Sequence, residues 1–226
     1  SGIGAATAER LAGAGYPVAL AARRVEKLQE LADRINEAGG EAVAVPLDVT
    51  DQQSVTAAVA QAEAALGPLE IVVAGAGDLR VGLGHEMPVD DWADQINIHL
   101  VGAYRVYRAV IEGMISRTRG DFVFIGSDVA AHPRPWSSAY VAAKHGVTGL
   151  TRSAALVYAA QGIRINSIHP GYIDTPLLKV LDEATLAALK GMHAIGRLGQ
   201  SEEIAHAACF LLSEGASYMC GSALVV

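Results

Sequence analysis

Cysteine is nearly absent. Cys209 and Cys220 are the two in 226 residues, too few for a disulfide framework or a thiolate metal site, and they read as thiols of a reducing cytoplasm. Positive charge is also scarce. Seventeen Lys and Arg stand against 24 Asp and Glu, for a formal charge of -7, and no long basic run occurs, so nucleic acid is not an expected partner. No apolar stretch reaches the roughly 18 residues of a membrane helix and no signal peptide is visible, so the expected location is cytoplasmic, with no membrane partner. The seven histidines show no H-E-x-x-H spacing, which disfavours a catalytic zinc, and no metal is expected. The window Ile125-Gly126-Ser127-Asp128-Val129 lacks the flanking glycines of a nucleophile elbow, which disfavours a serine hydrolase. An initiator Met is missing too. The chain opens on Ser1-Gly2-Ile3-Gly4 and closes on an apolar run over 223–226, and we expect a strand before Ser1 and a tail after Val226 in a longer protein.

What is present is alternation. Hydrophobic residues make up 51% of the chain, enough for one large core, and a single domain over 1–226 is expected. Short apolar runs at 18–22, 42–45, 69–74, 122–125, 164–168 and 223–226 predict strands. Longer helix-patterned stretches lie at 5–14, 25–37, 54–66, 92–117, 138–160 and 202–212. Strands apolar throughout, alternating with helices, predict an α/β fold: a doubly wound, Rossmann-like parallel sheet with helices on both faces. The least regular region, 174–199, has the character of a substrate lid.

Tyr140 and Lys144 stand one helical turn apart, so they share a helix face, and Ser127 lies upstream at the end of an apolar run. An ammonium beside a phenol favours its ionised form and lowers its pKa from about 10. A phenol so tuned gives or takes a proton at a carbonyl or alcohol oxygen, and Ser127 can donate a hydrogen bond to the same atom. Tyr and Lys at this spacing also occur on ordinary amphipathic helices, so the surroundings decide. At the chain start, Ser1, Gly2, Ile3 and Gly4 open a helix where free N–H groups attract phosphate. About 20 residues on, the strand 18–22 ends in Arg23-Arg24, and arginine there suits the 2′-phosphate of NADP where an acidic residue would suit NAD. A solvated strand end is the other reading. Asp48 follows a second strand and is either an adenine acceptor or a helix-start residue. Ala74-Gly75-Ala76-Gly77 end a third strand, leaving room for a cofactor or making a simple turn.

In this order the residues resemble the short-chain dehydrogenase/reductase family over nearly the whole chain. Ser1-Gly2-Ile3-Gly4 resembles the end of its T-G-x-x-x-G-x-G loop, and Leu47-Asp48-Val49 its adenine-binding segment. Ser127, Tyr140 and Lys144 match its catalytic Ser and Y-x-x-x-K motif, and 164–171 its R-x-N-x-x-x-P-G segment. Gly196-Arg197-Leu198-Gly199 and Glu202-Glu203-Ile204-Ala205 match a further stretch. The resemblance implies a nicotinamide cofactor, NADP more than NAD. It would be held by the N-terminal loop, Arg23, Arg24, Asp48, Val49, Ala74, Gly75, Ala76, Tyr140, Lys144, Pro170, Gly171, Ile173 and Thr175. It also implies hydride exchange between that cofactor and a ketone or secondary alcohol, such as a 3-oxoacyl or other hydrophobic ketone, and a homotetramer or homodimer. Helices 92–117 and 138–160, apolar on more than one face, suit such an assembly.

Two departures stand out. The family's N-N-A-G is here Ala74-Gly75-Ala76-Gly77, and His99 fills the slot of its catalytic Asn, whose backbone serves a proton relay. A ring at His99 either joins the relay, titrating near neutrality, or is a neutral core histidine at a helix kink. A non-catalytic NADP(H)-sensing or scaffold protein on the same fold is the alternative function. Substrate choice is expected to lie in 128–136, where His132, Arg134 and Trp136 suit an aromatic or anionic group, and in lid aliphatics Leu177, Leu178, Val180, Leu181, Leu186 and Leu189.

Overall fold

The alternation of apolar runs and amphipathic stretches becomes α1 (Ile3–Gly13), β1 (Val18–Ala22), α2 (Val25–Glu37), β2 (Ala42–Pro46), α3 (Gln52–Leu66), β3 (Ile71–Ala74), α4 (Val89–Ile96), α5 (Gly102–Arg117), β4 (Gly120–Ile125), α6 (Ser138–Tyr158), β5 (Ile163–His169), β6 (Ile173–Asp174), α7 (Glu183–Gly191), β7 (Gly199–Gln200), α8 (Ser201–Leu211) and β8 (Ala223–Val225). The computed structural model describes residues 1–176, 178 and 182–226.

All strand pairs are parallel, in the orders β2-β1 and β3-β4-β5-β8. Among the described residues no hydrogen bond joins β1 to β3, so the sheet stands as two blocks. Successive strand side chains face opposite sides, and β4 shows the result. Phe122 and Phe124 meet Tyr107, Ile111 and Met114 of α5 and Val147 of α6 on one side. On the other, Val123 and Ile168 meet Ile204, Ala208 and Leu211 of α8. Helix α2 covers β1 and β2 with Leu28, Leu31 and Ile35, the i, i+3, i+7 stripe of an amphipathic helix.

The long helix expected over 92–117 is interrupted. Between α4 and α5, residues Asn97–Val101 form a π-helical turn, with the Gly102 N–H bonding the Asn97 carbonyl. One residue too many is packed into that turn, and such bulges cluster at functional sites.

The segment expected as a lid is pinned at both ends, because β6 pairs with β7. Leu178, Leu189 and Leu198 are buried against one another, with Tyr172 and Leu186 beside them. Of the leucines expected to shape substrate choice, Leu178 and Leu189 are buried in the segment's own core. Leu177, Val180 and Leu181 lie outside the described residues. Among its described residues, the large apolar side chains that this segment exposes are Met192 and Ile195.

Candidate active site

Ligands of open α/β sheets bind beyond the C-terminal ends of the strands, and the structure brings the sequence candidates together there. Ser127 follows β4 in an extended conformation and caps a short 3-10 turn, Asp128–Ala130, its Oγ 3.4 Å from the Val129 N–H. Tyr140 and Lys144 project from the first two turns of α6. Ser127 Oγ also donates to Asp128 Oδ1 at 3.4 Å, and the Ser127 hydroxyl favours the ionised form of the Tyr140 phenol.

Lys144 is buried and donates from Nζ to the Ile125 carbonyl at 2.8 Å, tying α6 to the end of β4. Its ammonium is 5.4 Å from the centre of the Tyr140 ring. The expected drop in the Tyr140 pKa does not occur. Burial outweighs the effect of Ser127 and pushes the phenol up to about 12, with Asp128 and Tyr172 adding to the rise. Burial pulls Lys144 down to about 8. Desolvation disfavours the charged form of each group.

His99 sits on the π-turn, and the edge of its ring meets Tyr140 at a centroid distance of 4.9 Å. Its Nε2 lies 2.8 Å from the Asp78 carbonyl. A carbonyl only accepts, so Nε2 carries the proton and Nδ1 a lone pair. That Nδ1 is buried without a partner among the described residues. The ring fits because residue 77 is glycine: a Cβ there would lie 2.5 Å from Cε1. Burial, with Lys144 second, lowers the His99 pKa to about 3. The expectation of titration near neutrality is corrected accordingly. His99 is a neutral histidine at a helix kink, because desolvation overrides the Asp78 bond that favours protonation.

One residue near His99, Gln95, went unremarked in the sequence. Gln95 is fully buried and donates from Nε2 to Asp78 Oδ1 at 2.7 Å. Gln95, one helical turn before His99, thus braces the same loop, and the i, i+4 spacing was the available signal. Asn97 faces away, accepting from Arg105 Nη1 at 2.9 Å.

Arg134 donates to Asp128 Oδ2 at 3.1 Å, to the Tyr172 hydroxyl at 3.3 Å and to the His132 carbonyl at 2.6 Å. Its charge is already matched, which corrects the reading of this stretch as an anion seat. His132 and Trp136 are exposed.

The cofactor candidates line the same edge. Gly2 adopts φ 60°, ψ -140° before α1, and no side chain caps the helix. Positive φ there favours glycine, and space is open above Gly4. An uncapped, glycine-led helix start suits a pyrophosphate, so the residues present fit a dinucleotide. Thr175 is brought to this loop, 3.1 Å from where a Gly2 Cβ would stand. Arg24 donates to Ser1 Oγ at 3.3 Å, while Arg23 is exposed beside it. Asp48 Oδ1 accepts from the Thr50 N–H and hydroxyl at 2.9 and 2.7 Å, bonds that hold its carboxyl below the usual range. Of the two readings of Asp48, the helix-start turn takes this oxygen. The Val49 carbonyl accepts from Arg105 at 3.0 Å. Ala74 is half-buried at the end of β3, with Gly75 and Ala76 exposed beyond it. Pro170 and Gly171 lie just past β5, and the Ile173 side chain is turned into the core while its backbone pairs with Gly199.

A family profile described as Enoyl-(Acyl carrier protein) reductase matches residues 1–226. The sequence is 40% identical over 227 residues to cyclohexanol dehydrogenase of Acinetobacter sp. (strain SE19), covering all of this chain and 89% of the relative. The chain belongs to the short-chain dehydrogenase/reductase family. Cis-4-hydroxycyclohexanecarboxylate dehydrogenase of Sinomonas cyclohexanicum is 41% identical over 228 residues, covering all of this chain and 91% of the relative. The crystal structure of gox2181 superposes with a TM-score of 0.96 at 33% identity, covering 100% of this chain and 90% of that one. As a member of the family, the protein is an oxidoreductase acting on CH–OH groups and their carbonyl counterparts with a nicotinamide cofactor.

Proposed function

We propose that the protein interconverts a hydrophobic cyclic ketone and its secondary alcohol using NADP(H). The observation that carries this reading is the meeting of Ser127, Tyr140 and Lys144 beside an apolar rim. Leu83 and Val81 flank Gly82, whose N–H bonds the Trp136 carbonyl at 2.8 Å just before α6, the helix that carries Tyr140, and all three apolar side chains are exposed. Two relatives at 40 and 41% identity are named for six-membered carbocyclic alcohols.

The cofactor, when bound, supplies or accepts the hydride. Every other task falls to side chains. Tyr140, protonated at neutral pH, gives its proton to the carbonyl oxygen, and Ser127 donates a hydrogen bond to the same atom. The buried Lys144 ammonium, anchored on the Ile125 carbonyl, stabilises the phenolate left behind. His99 supplies a fixed neutral ring against Tyr140 and an acceptor at Nδ1. In the oxidative direction the same groups act in reverse.

The exposed Arg23 and Arg24 at the end of β1 support NADP(H) over NAD(H). Exposed Tyr104 on α5 and Leu156 and Val157 on α6 support pairing of these helices with those of a second copy, in a dimer or tetramer. The open edges of β1 and β3 support one further strand of the same protein between them. The reading is tested by turnover of NADPH with cyclic ketones by wild-type protein and Tyr140→Phe, with NADPH binding measured separately.

A further inference from the structure

His169 closes β5 and is 97% buried by area, 3% of its surface remaining exposed, yet it has no place in the chemistry above. It sits behind Ser127. Its Nδ1 lies 2.9 Å from the Ser127 carbonyl and its Nε2 lies 2.9 Å from Ser167 Oγ. The carbonyl only accepts, so Nδ1 carries the proton. Burial holds the ring neutral, its pKa lowered by desolvation despite the Ser127 bond. The Ser167 hydroxyl therefore donates to Nε2, and the tautomer is fixed from both sides.

The position of this bond gives it meaning. Beyond the end of β4, the chain leaves the sheet to form the Ser127 turn. The Gly126 N–H bonds the Ile168 carbonyl at 2.6 Å and the Asp128 N–H bonds the Pro170 carbonyl at 2.9 Å. Between them, the His169 ring holds the Ser127 carbonyl. Three consecutive residues, Gly126, Ser127 and Asp128, are thus bound to three consecutive residues, Ile168, His169 and Pro170. The ring also demands glycine at 126, where a Cβ would lie 2.8 Å from Nε2 and 2.9 Å from Cε1.

We propose that His169 is a positioning residue: its Nδ1–H fixes the Ser127 peptide, and through it the aim of the Ser127 hydroxyl at the substrate oxygen. This rests on the reading of Ser127 as the donor to that oxygen. Such a bond acts on the transition state through geometry, and displacement by about 1 Å can cost on the order of a hundredfold in rate.

The test compares His169→Phe, which keeps a ring and loses the donor, with His169→Asn, whose amide nitrogen reaches the same place. Should His169→Phe not unfold cooperatively, His169→Ala, which brings no steric conflict, takes its place. Each is made alone and with Ser127→Ala, and kcat, KM and NADPH affinity by fluorescence titration are measured. We expect His169→Phe to lower kcat about tenfold or more with little change in KM or in NADPH affinity. His169→Asn should recover most of that loss, and His169→Phe should cost nothing further once Ser127 is alanine. Independent, multiplying losses in the double variant, an Asn variant as slow as the Phe variant, or unchanged kcat in His169→Phe would each overturn the proposal. If Ser127→Ala alone leaves kcat intact, the fault lies instead in the reading of Ser127.

Discussion

The His99 imidazole stands edge-on to the Tyr140 ring, their planes at 89° and their centres 4.9 Å apart. The contact places a neutral, buried ring against the phenol proposed as proton donor, at the one position where this chain exchanges the family's Asn for His. With its pKa near 3, His99 does not titrate in the working range of the enzyme. The pH profile of kcat/KM in wild type should therefore show no inflection near 6.5 from this residue, and His99→Asn should have a profile of the same shape. An acid limb near pH 6.5 in the wild type that vanishes in His99→Asn would refute this.

The same depressed pKa acts on stability, with a definite sign. Between about 3 and the unfolded value near 6.5, the unfolded chain binds a proton at His99 that the folded chain does not, so folding weakens as pH falls through that window. His169 adds in the same direction. Urea unfolding at pH 7.5 and 5.0 should show a smaller loss of stability for His99→Asn than for wild type. Equal losses would contradict the assignment of His99 as a neutral buried ring.

Cofactor choice is testable at Arg23. A charge-assisted bond to the 2′-phosphate is worth about 1.5–3 kcal/mol, or roughly ten- to a hundredfold in affinity. Arg23→Ala should weaken NADPH binding by about that factor and leave NADH binding nearly unchanged. Equal wild-type affinities for the two cofactors would end the NADP(H) assignment.

The exposed α5–α6 face predicts association. Light scattering at micromolar concentration should give a dimer or tetramer, and Leu156→Arg with Val157→Glu should shift it to a smaller species. A monomeric wild type would contradict this. The split sheet carries its own expectation: the native protein should exceed 23.4 kDa by at least a strand, as measured by intact mass.

The strands and helices were legible because burial on both faces writes continuous apolar runs into a parallel sheet. Val18–Ala22 and Val25–Glu37 fall where periodicity puts them. The trio was legible because Tyr140 and Lys144 are linked by helix geometry and Ser127 by its place at a strand end. What escaped was set by tertiary packing. A π-turn at Asn97–Val101 leaves no periodic signature of its own. Nothing local to Tyr140 announces that burial dominates its pKa. Arg134 read as a free cation because Asp128, six residues earlier, meets it only when the 3-10 turn folds back. The leucines of 174–199 read as shaping substrate choice because sequence cannot say which apolar side chains pack on one another.

The central claim is that Tyr140 is the proton donor of a cyclic-ketone reductase. The direct measurement is the rate of NADPH oxidation with cyclohexanone and substituted cyclohexanones, wild type against Tyr140→Phe, with NADPH affinity determined for both by fluorescence. Wild type should turn over, and Tyr140→Phe should lose on the order of a hundredfold or more in kcat, the scale of a general acid, while binding NADPH as before. A Tyr140→Phe enzyme that keeps its rate, or a wild type that binds NADPH and reduces none of these ketones, would contradict the account.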